Sequence, residues 1–192
     1  MRILIAALIG GTLVWVWGAV AHMALPIGEM GFRTADEQHA ALNALQGSTR
    51  SGPGVYMLPG LAPEQWGDEE AVAAFVEEYA GSPYAFVVFR PEGNPGHLSM
   101  APNLVRHWIS SVLAAGIISW VLSLGAFGFG QRVLIAGGLG LFAWLAVNVP
   151  QWNWYLFPTD FTIGAALDQV IGWLIAGCGM AWWLGRRSVQ AG

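Results

Sequence analysis

The sequence predicts an all-α membrane fold: four transmembrane helices, with a small extracytoplasmic α+β domain inserted between the first and second. Three observations carry this. The 192 residues are 55% hydrophobic and only 10% charged, against about 25% charged in an ordinary soluble domain, and mean hydropathy is +0.52. Four apolar runs approach the ~20 residues that a bilayer core requires. The charge is also partitioned: ten of the twelve acids lie between Glu29 and Glu92 against three arginines there, a local charge of −7. Such a distribution offers no basic patch for nucleic acid. Cys178, embedded in an apolar run, is the single cysteine, which excludes a disulfide or a cysteine metal cluster within one chain.

Residues 1–25 hold the first helix, built on the run Ile3–Leu25. A signal peptide competes here, since Arg2 is basic and Ala19-Val20-Ala21 resembles a cleavage site. The run exceeds the usual ~7–15-residue core of such peptides, and Trp15, Trp17 and His22 are foreign to one, which favours an uncleaved helix. Residues 26–103 are read as the acidic domain. Thr34 caps a predicted helix over Ala35–Leu45, with Asp36 and Glu37 favourable in its first turn. Gly54–Met57 is a short strand before Pro59-Gly60. Asp68–Tyr79 places Val72, Phe75, Val76 and Tyr79 at helical spacing, with Glu69, Glu70, Glu77 and Glu78 facing away as a solvated surface. Pro83–Arg90 is β-branched and aromatic and reads as a strand.

Residues 104–192 hold three further helices, Leu104–Leu124, Val133–Val149 and Ile163–Leu184, joined by a short loop (Gly125–Arg132) and an aromatic one (Pro150–Thr162). Gly137, Gly138 and Gly140 read as close packing in the third helix, because the strand–helix context of a phosphate loop is missing. If all four helices span, Arg2, Arg132, Arg186 and Arg187 fall on one side. Short arginine-bearing loops stay cytoplasmic, so both termini are expected inside a bacterial inner membrane and the acidic domain outside. Trp152, Trp154 and Tyr155 then form an outer interfacial belt, Trp182 and Trp183 an inner one.

The run Trp152-Asn153-Trp154-Tyr155, Phe157-Pro158, Asp160-Phe161-Thr162, followed by Leu167–Val170 and Gly172-Trp173, resembles a family of small uncharacterised bacterial inner-membrane proteins, and Trp17–Pro26 is similar to that family's opening. The resemblance implies a four-helix membrane fold with an outer domain after the first helix. It brings no activity and no functional residues.

Ionisable groups inside a span cost about 2.5–3.5 kcal/mol each on insertion scales and usually face the bundle interior. His22 shares a face with Gly11, Trp15 and Gly18; His107 with Ser110, Ser111 and Ala114; Asp168 with Gly164, Gly172 and Ala176. Each is expected about 5–8 Å inside the outer end of its helix, with Asn148 closing the third helix at the same level and Arg106 and Gln169 flanking the group. His22, His107, Asn148, Asp168 and Arg106 are therefore the candidates for a ligand site or proton path. Packing glue is the competing reading, with Asp168 simply pairing with Arg106 or His107. A metal ion held by His22, His107 and Asp168, or a b-type haem held by His22 and His107, is a further alternative, though no metal-binding spacing supports the metal and no cofactor is predicted. A Ser110–His107–Asp168 set can be drawn, but Ser110 lacks an elbow motif. With no catalytic motif legible, the leading expectation is a non-enzymatic accessory subunit. It would contact lipid and dock a protein partner or a second copy through the outer domain and Trp152, Trp154, Tyr155 and Asp160.

Overall fold

In the computed structural model, which describes residues 1–186, the chain is mostly helical with one two-stranded sheet. Arg187, assigned above to the cytoplasmic side, lies outside the described residues. The chain divides into two compact units, Met1–Arg33 with Ser99–Gly192, and Thr34–Leu98.

The first unit is built on four helices: α1 (Arg2–Met23), α4 (Ala101–Ser123), α5 (Phe129–Tyr155) and α6 (Thr159–Gly185). All four are long and apolar enough to cross a membrane, which suggests a multi-pass membrane protein. They carry large apolar side chains outward, among them Leu4, Leu113, Leu134 and Phe142. Between α1 and α4 in the chain, the second unit contributes α2 (Gln38–Ser48), β1 (Gly54–Leu58), α3 (Glu69–Tyr79) and β2 (Ala85–Phe89).

The four long helices do not pack in chain order. α1 lies between α4 and α6, and α6 lies between α1 and α5, while α4 barely touches α5 or α6. Without an oily-core driving force, such contacts depend on small residues and polar staples. Gly11 lets α1 sit directly on α4: a Cβ there would lie 2.5 Å from the Val112 Cα. Gly172 performs the same service for α6 under the ring of Trp17, whose Cδ1 would lie 2.8 Å from an added Cβ. Of the three glycines read as packing residues in α5, Gly137 and Gly140 meet Leu174 and Trp173 of α6, but Gly138 faces open space. It points away because consecutive residues on a helix turn by about 100°.

Tryptophan supplies the staples. Trp15 donates to the Leu104 carbonyl at 3.2 Å and Trp108 to the Thr12 hydroxyl at 3.1 Å, joining α1 and α4. Trp17 donates to the Asp168 carbonyl at 3.0 Å and Trp183 to the Arg2 carbonyl at 3.2 Å, joining α1 and α6. Trp144 donates to the Thr162 carbonyl at 2.8 Å, joining α5 and α6. An indole has one donor and a large apolar body, so each pairs burial with one directional bond.

The long helices α4, α5 and α6 each begin three or four residues earlier than the sequence reading placed them, and two further boundaries differ. α5 runs through Pro150 to Tyr155, so the aromatic loop shrinks to Leu156–Pro158. Proline removes one backbone donor, but an apolar helix tolerates this where neighbours re-satisfy the freed carbonyl. The helix is ended instead by Leu156 in the left-handed conformation, φ 56°. α2 begins at Gln38 rather than Ala35, with Glu37 at its N-cap and no side-chain cap, so Thr34 does not serve. Asp36 and Glu37 precede the first turn, where the helix dipole still favours them.

Within the second unit, β1 and β2 pair antiparallel, Gly54 opposite Phe89 and Leu58 opposite Ala85. Asp68 caps α3 by accepting from the Glu70 and Ala71 amides at 3.0 and 3.3 Å. Its interior is thin: Phe89, edge-on to Tyr56 at 6.4 Å, is its one buried large apolar residue.

Candidate functional site

A polar cavity of about 350 Å³ opens between α1, α4 and α6. His22 of α1, His107, Ser110 and Ser111 of α4, and Asp168 and Gln169 of α6 line it. The i, i+4 spacing puts His107 and Ser111 on one helical face, and Gly172 lets α6 approach α1 closely beside it. Three of the five ligand-site candidates, His22, His107 and Asp168, thus meet. Asn148 and Arg106 are not among the lining residues. Asn148 stands on α5, beyond α6, where its Oδ1 is buried without a partner. Arg106 is exposed, and among the described residues neither it nor His107 forms an ion pair with Asp168.

The depths also differ from expectation. α6 starts at Thr159, so Asp168 lies nine residues, or about 14 Å, along it. His22 is the penultimate residue of α1. They nonetheless share a cavity because the chain folds back after α1. Pro26–Glu29 makes a short 3-10 turn, and residues 26–33 form a strap over the beginning of α6. Gly28 sits against the His22 ring, where any Cβ would collide with it. Gly31, at φ +83°, presses onto Phe161; both its backbone and the lack of space demand glycine. Phe32 meets Phe161 edge-on at 5.5 Å. Arg33 closes the strap with an ion pair to Asp160 at 2.7 Å. Asp160, read from sequence as a docking residue, is therefore engaged inside its own chain. Under the strap, His22, Gly28, Phe32, Phe161, Gly164 and Asp168 bound a second cavity of about 190 Å³. His22 and Asp168 border both.

The hydrogen bonds define what this site offers. His22 Nδ1 lies 2.9 Å from the Gly18 carbonyl. A carbonyl only accepts, so Nδ1 carries a proton, and in the neutral form of the ring Nε2 is the acceptor. The backbone carbonyl of Asp168 is held by Trp17, but its side-chain Oδ1 is buried with no donor. Ser110 turns its hydroxyl back to the His107 carbonyl at 2.8 Å, so no serine–histidine couple is formed for nucleophilic catalysis. Among the described residues, no three His, Cys, Asp or Glu side chains are grouped closely enough to hold a metal ion. What remains is one carboxylate, two imidazoles and several hydroxyl and amide groups, without a lysine or arginine in the lining.

The strap and the tryptophan donors escape sequence reasoning. Arg33 and Asp160 are 127 positions apart, and neither lies in a periodic pattern that would have paired them. At the α5–α6 turn, Trp152 donates to Thr159 at 3.1 Å, yet it is 44% exposed, and Trp154 is 75% exposed.

No protein-family model, curated protein or solved structure matches the chain.

Proposed function

We propose that the chain is a multi-pass inner-membrane protein that binds a small ammonium-type cation between α1, α4 and α6. The observation that carries this is Asp168 Oδ1, a buried carboxylate oxygen without a donor, in a cavity that His22 and His107 also line. An unsatisfied buried polar group costs about 1–3 kcal/mol, and more for a charged one, so a ligand bringing a donor is favoured there. Positive charge is favoured as well, because the lining holds the Asp168 carboxylate and no lysine or arginine. His22 Nε2 provides a second acceptor. Arg2, Arg132 and Arg186 at the ends of their helices support cytoplasmic termini and an extracytoplasmic Thr34–Leu98 unit.

Purified protein in detergent can be titrated with methylammonium chloride against sodium chloride and sodium acetate, following the fluorescence of Trp17 and Trp173 beside the site. Saturable binding of methylammonium alone is expected, weakened about tenfold or more in D168N, equivalent to ~1.4 kcal/mol. Equal responses to sodium and methylammonium, or an unaffected D168N, would overturn the reading. An absorption spectrum of the same sample addresses the haem alternative, which requires a Soret band.

A second reading, an accessory subunit docking a partner, is favoured by the outward Trp154. Its test is recovery of a stoichiometric partner from native membranes and its loss in W152A/W154A; recovery unchanged by the double substitution counts against this surface.

A further inference from the structure

The opposite end of the helical unit carries a different chemistry. There α1 begins, α4 and α6 end, and α5 begins. A cavity of about 380 Å³ lies among them, lined by Arg2, Arg132, Leu122, Ser123, Gly125 and Leu184. Arg2 donates to the Leu184 carbonyl at 2.7 Å. Among the described residues Arg132 reaches only the Ala181 carbonyl, at 3.5 Å, and its Nε is buried with no acceptor. Each guanidinium has five N–H donors, so most of this pair's capacity is unused among the described residues.

The charges are unbalanced too. Among the described residues no carboxylate lines the cavity and neither arginine has an ion-pair partner. The unit's three acids, Glu29, Asp160 and Asp168, lie on the strap and in the first ten residues of α6, whereas Leu184 lies at its end. The carbonyls at the α6 C-terminus offset part of the repulsion between the two cations, yet they do not satisfy the Arg132 Nε. Planar guanidinium forks suit a tetrahedral oxyanion, which accepts two parallel hydrogen bonds from each.

We infer that Arg2 and Arg132 form a phosphate-binding site at the end of the four-helix unit. The phosphate would belong to an anionic phospholipid headgroup or be free in solution, because the site sits where the apolar spans end. This site shares no residue with the Asp168 cavity and stands or falls independently of it.

The full chain would be reconstituted into nanodiscs of phosphatidylcholine with and without phosphatidylglycerol. Lipid retained by the protein would be counted by native mass spectrometry, and inorganic phosphate titrated in lipid-free micelles. Enrichment of phosphatidylglycerol over phosphatidylcholine by about tenfold, reduced to near parity in R132Q, identifies a headgroup site. Saturable phosphate binding, with a sulfate competitor effective and R132Q weakening it about tenfold, identifies a soluble phosphate. R132K, which keeps the charge but loses the fork, is expected between the two. R186Q is the control: Arg186 stacks on Trp182 at 3.7 Å and does not line this cavity. If R132Q folds poorly, the unmodified protein decides. Enrichment below about twofold together with no phosphate binding overturns the site, as does an R186Q loss equal to that of R132Q.

Discussion

Asp168 is held at two atoms by different logics. Its backbone carbonyl accepts from Trp17, which fixes α6 against α1, while its Oδ1 has no donor. Separate substitutions should therefore separate stability from binding. W17F removes one interhelical hydrogen bond and is expected to cost roughly 1 kcal/mol, seen as a lower midpoint in thermal unfolding, with ligand affinity changed less than threefold. D168N should do the reverse, weakening methylammonium with little change in midpoint. If both variants lose stability and binding in parallel, Asp168 is packing glue. That His22, His107 and Asp168 border one cavity agrees with polar residues stacked beside small ones at four-residue spacing, which mark an inward face. The role of Trp17 was not legible, since an indole donor finds its acceptor only once two helices are placed side by side.

At the scale of elements, the strap of residues 26–33 decides how the smaller cavity beside His22 and Asp168 is closed. Its ion pair is largely exposed, 74% at Arg33 and 41% at Asp160, so solvent screening leaves it a weak clasp. The Phe32–Phe161 contact and the fit of Gly28 and Gly31 matter more. R33Q alone should leave backbone amide exchange over residues 27–32 within about twofold of wild type. F32A/R33Q should raise it more than tenfold and make His22 correspondingly more reactive to diethyl pyrocarbonate. An R33Q effect as large as the double variant's would make the ion pair the principal clasp. In α5, Pro150 is tolerated inside the helix rather than ending it, so P150A should be neutral or stabilising by less than about 1 kcal/mol in unfolding assays. A loss above about 2 kcal/mol would show that the proline shapes the helix. The sequence pointed to a break there because proline normally stops helices. The actual stop is Leu156 in a left-handed conformation, which no residue-type rule predicts for leucine.

Across the whole molecule, the spatial order α4–α1–α6–α5 turns two glycine substitutions into opposite tests. G11L forces a side chain into the Val112 backbone and should abolish a monodisperse folded peak in size-exclusion chromatography. G138L enters open space and should leave the peak unchanged. Equal behaviour of the two would contradict this order. Topology is tested separately. With Cys178 replaced, a cysteine at Ser51 should react with a membrane-impermeant maleimide in spheroplasts, whereas one at Phe127 should react only after permeabilisation; the reverse pattern would invert the orientation.

The apolar runs, the acidic segment between them and the inward polar faces were determined by sequence alone, because hydropathy and helical periodicity are local properties of consecutive residues. Which helices touch, where the strap returns, that Asp160 meets Arg33 and that Arg132 shares a cavity with Arg2 were decided only in three dimensions. These depend on glycine gaps, indole donors and guanidinium forks meeting across long sequence separations, and no local pattern encodes which distant partner completes them.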